Sequence, residues 1–445
     1  MSTDKSSLLK SGAVVSAGVL CSRVLGFIRD VVIAHFLGTG FIAEAFFVAQ
    51  RIPNVFRDLV GEGAANTAIV PVVTEYQQKK STAEWQELFN VIMAWGGIIL
   101  GAVTIAGVLA APWIVRLMAP GFAENPDQFQ LTVDLTRLMF PYLILIGLVA
   151  FQTGVLYSLQ SFFAPAFGPC LYNIALILSA AAAWLLSWPI AYALAFGALL
   201  GGVWQLLAQW MALRKKQVYW HWPKTLNHEG ARKVWALLLP RIWGSGVYQL
   251  NILIDTFCAS LAAIVGSGGI AAIYYANRII QFPLGVFVYA VFSVSLPSLS
   301  RLAAAGDMPK FKETLNFALR NVMLVLVPCA VVFCLLSRWI IHIIFERGAF
   351  DAYSTDLTGQ VLFFSALGLP FYGAARILAS AFYALQDTRT PVKIATVCLV
   401  INAVLNFILM YPLKVGGIAL ASSIASLVNA VMLWTILKKK LNPYP

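Results

Sequence analysis

Of the chain's 445 residues, 60% are apolar, only 11% are charged, and the formal net charge is +12. A soluble domain carries roughly a quarter charged residues, so one aqueous core cannot absorb this much apolar surface and lipid is the expected solvent. A basic excess would suggest nucleic acid in a soluble protein. Here it falls between apolar runs and sets membrane topology, so no nucleic-acid partner is expected. The six cysteines lie within apolar runs without a CxxC, and the four histidines lack metal-ligand spacing, which argues against a zinc enzyme.

A spanning helix needs about 20 mostly apolar residues. In chain order the candidate spans are 8–37, 42–76, 88–111, 131–156, 164–187, 190–213, 234–264, 270–299, 314–336, 357–384, 392–411 and 416–437. Arg23, Arg29 and Asp30 interrupt the first apolar run too early for a cleavable signal peptide, so it is expected to stay as a span. The second is long and polar along one face, so partial shielding from lipid is expected. The expected fold class is all-α: a polytopic membrane bundle of about 12 transmembrane helices. Its expected domains are an N-terminal lobe at 1–215, a cytoplasmic linker at 216–233 and a C-terminal lobe at 234–445.

Basic residues orient the bundle. With the N-terminus inside, twenty Lys and Arg fall on the cytoplasmic side, against five outside (Arg116, Arg137, Arg338, Arg347 and Lys414). Both termini are therefore expected in the cytoplasm.

The chain also repeats itself. Ala49-Gln50-Arg51-Ile52 returns as Ala276-Asn277-Arg278-Ile279, 227 residues later, and Gly121-Phe122 matches Gly348-Ala349-Phe350 with its glycines at the same offset. Tyr157-Ser158-Leu159-Gln160 with Pro165 returns as Tyr383-Ala384-Leu385-Gln386 with Pro391, at an offset of 226. A duplicated unit of six spans inserts twice in the same orientation, giving two parallel repeats of a kind common in transporters.

Six arginines sit within or at the ends of apolar segments: Arg23, Arg29, Arg51, Arg57, Arg278 and Arg376. An arginine at the bilayer centre costs at least ~2.5–3.5 kcal/mol on insertion scales, less if it faces water or pairs with an acid such as Asp30, Asp58 or Glu62. Arg23 and Arg29 are separated by about 240° around a helix, so they do not share one narrow face. For Arg51 and Arg376 the preferred reading is neutralisation by a neighbouring acid or snorkelling to an interface. For Arg23, Arg29, Arg57 and Arg278 it is substrate binding, since guanidinium forks grip phosphate bidentately and stay charged. Asp255 stands alone in the seventh span, and Asn402 and Asn406 share a helix face in the eleventh. These hard oxygen donors suit an alkali cation, but interhelical hydrogen bonding is an equally ordinary use for them.

At these residues the sequence resembles the MurJ (MviN) family of lipid II flippases, in the superfamily of multidrug, oligosaccharidyl-lipid and polysaccharide exporters. The carrying stretches are SRVLGFIRD (22–30), AEAFFVAQRIPNVFRDLVGEGA (43–64), APGF (119–122), YYANRIIQFPLGV (274–286), LPSLS (296–300) and TPVKIA (390–395). The resemblance implies a V-shaped, MATE-like bundle moving the undecaprenyl-diphosphate peptidoglycan precursor outward across the bacterial inner membrane. It implies substrate-binding roles for Arg23, Arg29, Arg57 and Arg278, gating or charge-tuning roles for Asp30, Glu44 and Glu62, and a sodium site at Asp255, Asn402 and Asn406. It also implies no cofactor, coupling to sodium or the membrane potential, and a monomer in contact with the cell-wall synthesis machinery. The chain departs from the family in carrying Asn277 and Gln281 where acids are usual, and in presenting twelve spans where fourteen are usual. Rival readings are a flippase of another polyprenyl-linked glycan, a drug-cation exporter, which the arginines oppose, and a membrane glycosyltransferase or acyltransferase, for which no catalytic constellation is visible.

Overall fold

The computed structural model describes the backbone of residues 2–60 and 64–441 and the side chains of residues 12–55, 68–238 and 249–441. The described residues form helices joined by turns and loops, without strands. In order they form α1 (Ser2–Leu37), α2 (Phe41–Val60), α3 (Ala64–Lys79), α4 (Thr82–Met118), α5 (Pro126–Met139), α6 (Tyr142–Ser158), α7 (Phe163–Leu186) and α8 (Ile190–Lys215). Then follow α9 (Glu229–Ala259), the single turn α10 (Ala262–Val265), α11 (Gly269–Pro283), α12 (Tyr289–Ala304), α13 (Met308–Phe345), α14 (Ala352–Ala384), α15 (Arg389–Leu413) and α16 (Val415–Leu441).

Among the described residues nine helical segments are long and apolar enough to cross a membrane: α4, the α5–α6 pair, α7, α8, the α11–α12 pair and α13 to α16. The three remaining expected spans coincide with α1, α2–α3 and α9, which include residues outside the description. Three spans are less regular than their hydropathy suggests, the ninth through a kink at Leu336, where φ is −117° and ψ 17°. The fourth is broken at Phe140-Pro141, where proline has no N–H to give the preceding turn. The eighth passes through one π-helical turn, Leu284–Val288, directly after Pro283.

Lipid as solvent explains the surface. Leu109, Trp113 and Leu117 of α4 follow one another at i, i+4, i+8 and are 74%, 71% and 75% exposed. Such a stripe would drive aggregation in water, whereas a helix face turned to hydrocarbon gains from it.

Contacts divide the chain into two compact units. The first comprises Met1–Leu37, Ala45–Leu117 and Asn125–Gly246; the second comprises Gly38–Glu44, Met118–Glu124 and Val247–Pro445. A core of Ile69, Leu88, Phe89, Ile92, Leu143 and Phe151, with their neighbours, holds the first. In the second, Tyr275, Phe345 and Phe350 pack ring against ring, with centroids 5.2–5.7 Å apart. The α1–α2 turn belongs to this second unit. There Tyr275 donates its hydroxyl to the Gly38 carbonyl at 3.2 Å, and Thr39 and Ser354 share a 2.8 Å hydroxyl bond. Gly38 is required twice over: its φ is +57°, and a Cβ would run into the Ala349 carbonyl.

The repeated motifs fold alike. Gln160 and Gln386 both occupy the left-handed region, with φ of 54° and 59°. Each donates its N–H to a tyrosine carbonyl three residues back, Tyr157 and Tyr383, at 3.0 Å in both cases. The next N–H in each turn reaches back five residues, Ser161 to Leu156 at 2.8 Å and Asp387 to Phe382 at 2.9 Å. This is the Schellman pattern of a terminated helix. Buried Phe122 and Phe350 are each followed by a helix whose cap is an Asx side chain, Asn125 for α5 and Asp351 for α14.

Candidate functional site

Arg29 is the best-defined of the intramembrane arginines. It lies in α1 and is only 8% exposed, with Asp30 beside it at 1%. Its Nε and Nη2 both donate to Asp30 Oδ1, at 3.0 and 2.7 Å, while Nη1 donates to Asn173 Oδ1 on α7 at 2.9 Å. Asn173 in turn donates to the Ser22 carbonyl at 3.0 Å, fastening α7 to α1. The guanidinium fork is therefore held in one plane by oxygen acceptors, the arrangement that phosphate oxygens also satisfy. Arg23, one and two-thirds turns earlier, is exposed and makes no ion pair among the described residues. The structure thus puts the two arginines of α1 in opposite environments, in line with their separation around the helix.

In the second unit, Arg278 of α11 is half-buried; its Nη2 donates to the Tyr274 hydroxyl at 2.8 Å, and its Cζ lies 4.6 Å from that ring's centroid. The i, i−4 spacing makes this pair readable from the sequence. Arg376 of α14 is exposed and stacks on Tyr289 at 3.8 Å, donating to its hydroxyl at 2.7 Å. Here an aromatic face answers an intramembrane charge where an acid or the interface was expected.

The acids take separate places. Asp30 pairs with Arg29 as described. Glu44 is buried in the first turn of α2 and its Oε1 accepts the Ile270 N–H at 3.1 Å, satisfying an amide at the start of α11. The Arg57 side chain and Glu62 lie outside the described residues.

Asp255, Asn402 and Asn406 come together in the second unit. Asn406 Nδ2 donates to Asp255 Oδ1 at 2.7 Å and to Asn402 Oδ1 at 3.0 Å. Ser422 of α16, which sequence reading missed, donates to Asp255 Oδ2 at 3.2 Å and accepts from Asn402 Nδ2 at 3.0 Å. No pattern in the sequence distinguishes Ser422 from its neighbour Ser423. Turning the Asn402 amide over gives a second bonded arrangement, in which its nitrogen donates to Asp255 Oδ1 at 3.2 Å and its oxygen accepts from Ser422 Oγ at 3.0 Å. Asn406 Oδ1 is buried with no hydrogen-bond partner. A carboxylate beside an orphan amide oxygen in an apolar bundle suits a small hard cation. Among the described residues no group of three His, Cys, Asp or Glu could hold a transition metal.

A buried arginine and a polar acid–amide cluster on long apolar helices fit a membrane transporter. The fold agrees: an inward-facing multidrug MATE transporter of the MOP superfamily superposes with a TM-score of 0.78 over 95% of each chain at 14% identity. The sequence profile described as Lipid II flippase MurJ matches residues 33–445, and the chain belongs to that family. A probable lipid II flippase MurJ of Rhizobium meliloti (strain 1021) is 35% identical over 439 residues, 97% of this chain and 81% of the relative. The Lipid II flippase MurJ of Burkholderia cenocepacia is 33% identical over 444 residues, 97% of this chain and 84% of the relative. A solved lipid II flippase MurJ in an inward closed conformation matches with a TM-score of 0.82 at 27% identity, covering 95% of this chain and 87% of that one. Membership of a flippase family makes the chain a transporter and not an enzyme.

Proposed function

We propose that this chain carries lipid II, the undecaprenyl-diphosphate-linked peptidoglycan precursor, from the cytoplasmic to the periplasmic leaflet of the bacterial inner membrane by alternating access. Membership of the family over residues 33–445 supports the substrate. The observation that carries the chemistry is Arg29, a residue 8% exposed in an apolar helix whose guanidinium is held by two oxygen-bearing side chains. The diphosphate oxygens replace or join Asp30 and Asn173 as acceptors, and Arg23, Arg57 and Arg278 supply further positive charge.

Moving an anion outward from a negative interior is downhill by ~2.3 kcal/mol per charge per 100 mV, so the membrane potential favours loaded export. A sodium ion, if used, would be held by the oxygens of Asp255, Asn402, Asn406 and Ser422, and would supply a positive charge bound in one stage of the cycle and released in another. On this reading the chain is two parallel six-span repeats, acts as a monomer with both termini in the cytoplasm, and contacts the cell-wall synthesis machinery.

The test is complementation. Expressed in a bacterium depleted of its own lipid II flippase, the chain restores growth and cell shape, and Arg29→Ala and Arg278→Ala do not despite normal membrane levels. Failure of the well-expressed wild type would count against lipid II and shift the reading towards another polyprenyl-linked glycan, or show that the twelve spans do not suffice.

A further inference from the structure

The connection between α8 and α9 is fixed along the start of α4. Gln86 Nε2 donates to the Gln217 carbonyl at 2.8 Å, Asn90 Oδ1 accepts the His221 N–H at 3.2 Å, and Trp95 Nε1 donates to the Leu226 carbonyl at 2.9 Å. The Lys224 N–H is held by Glu87 Oε1 at 2.9 Å. Val218 and Pro223 are buried as anchors. A linker needing only to join two helices has no use for this many bonds.

What the linker presents outward is unusual for a segment in water. Tyr219 and Trp222 are 55% and 63% exposed, and Trp220 is exposed with them. The rings of Trp210, Trp220 and Trp222 form an edge-to-face ladder, with centroids 6.4 and 6.3 Å apart, and Arg214 lies 5.7 Å from the Trp210 ring. Arg214, Lys215, Lys216 and Lys224 are all exposed, and residues 214–228 contain no acid.

Two helices of this unit place the ladder at a definite depth. The 37 residues of α4 span roughly 55 Å, against ~30 Å of hydrocarbon. Its exposed apolar face runs from Leu117 back to Ile98, about the length of one hydrocarbon crossing, and the linker is bonded to residues 86–95 just beyond it. On α8 the exposed apolar face of Phe196, Leu200, Leu207 and Met211 ends at Arg214. Both faces stop where the linker lies, which is the headgroup level. Tryptophan and tyrosine favour that level, and basic residues there draw anionic lipid.

We propose that Arg214–Lys224 is a built-in site for anionic phospholipid headgroups, with Tyr219, Trp220 and Trp222 seated at the headgroup level and Arg214, Lys215, Lys216 and Lys224 holding the phosphates. Charge complementarity selects the occupant: an exposed aromatic segment whose only charged side chains between 214 and 228 are basic fits an anionic leaflet, the Glu87 carboxylate being taken up by the Lys224 N–H. Each basic residue near such a leaflet strengthens association roughly fivefold.

The full chain in lipid nanodiscs, probed with spin-labelled phosphatidylglycerol and phosphatidylcholine, tests this. The wild type is expected to prefer phosphatidylglycerol, with the preference falling as salt rises. The Lys215→Gln/Lys216→Gln/Lys224→Gln variant should lose at least tenfold of that preference, and Trp222→Ala a smaller part, with helical content unchanged in both. A triple variant that keeps the wild-type preference overturns the proposal. So does a wild type with no lipid preference that binds a polyglutamate peptide through the same lysines, which would assign the surface to an acidic protein segment.

Discussion

Asp30 Oδ1 accepts both the Nε and the Nη2 of Arg29, at 3.0 and 2.7 Å, so the most buried of the described intramembrane arginines is also a fully engaged one. Pair and clamp are compatible only if substrate oxygens compete with Asp30 and Asn173 for the same fork. Removing one member of a buried ion pair costs about 3–5 kcal/mol, because its partner is left charged in a poor solvent. Asp30→Asn should therefore lower the unfolding temperature and the membrane level of the protein. The double variant Arg29→Gln/Asp30→Asn should recover both, since neither charge remains, and still fail to transport. Transport by this double variant, measured at wild-type protein levels, would reduce Arg29 to a structural residue.

Glu44 separates two roles by a one-atom change. As acceptor for the Ile270 N–H, it is replaceable by glutamine, which keeps the carbonyl oxygen, but not by leucine. Glu44→Leu strands a buried amide at a cost of about 1–3 kcal/mol. Thermal unfolding in detergent should rank the wild type and Glu44→Gln together, with Glu44→Leu below. If Glu44→Gln keeps its stability yet abolishes transport, the negative charge itself is needed, as charge tuning would require.

The oxygens around Asp255 make a prediction about salts. At ten times its dissociation constant, a bound cation stabilises the protein by about 1.4 kcal/mol. Sodium chloride should then raise the melting temperature above that in choline chloride at equal ionic strength, and Asp255→Asn and Ser422→Ala should reduce the difference. An identical sodium response in Asp255→Asn would show that the cluster serves only helix packing.

A pH dependence follows at the membrane surface. Lys440 Nζ lies 2.8 Å from Asp387 Oδ2, and that lysine together with the Thr390 N–H holds the Asp387 carboxyl down at about 2, against an ordinary 3.8. The folded value is the lower one, so the stabilisation is complete above pH ~4 and disappears as pH falls through about 2. The pair is partly exposed, which limits its worth to about 1 kcal/mol or less. Lys440→Gln should melt slightly below wild type at pH 6 and together with it near pH 2. A gap that persists at pH 2 would have to come from something other than this carboxylate.

Much of this was legible in the sequence because lipid imposes a coarse constraint. An apolar run of about 20 residues has few alternatives to a spanning helix, and the positions of the long helices follow the hydropathy closely. The repeat was legible because Gln160 and Gln386 terminate helices in the same left-handed turn and sit among similar residues. Partners across helices were not. Asn173 on α7 and Ser422 on α16 are ordinary residues of apolar helices, and only the packing of α1 against α7, and of α15 against α16, turns them toward Arg29 and Asp255. Likewise Arg376 was expected to find an acid or the interface, and its answer, Tyr289, lies 87 residues away. The role of Glu44 was hidden for the same reason: its acceptor function depends on a backbone amide 226 positions later.

The most direct test of the central claim is translocation itself. In cells depleted of their own flippase and expressing this chain, lipid II reaching the outer leaflet is labelled with a membrane-impermeant reagent that acts only from outside. The account predicts labelling at the level restored by an authentic flippase, abolished by Arg29→Ala and Arg278→Ala at equal protein levels. Lipid II that stays unlabelled with the wild-type chain present, or labelling unaffected by both substitutions, would contradict it.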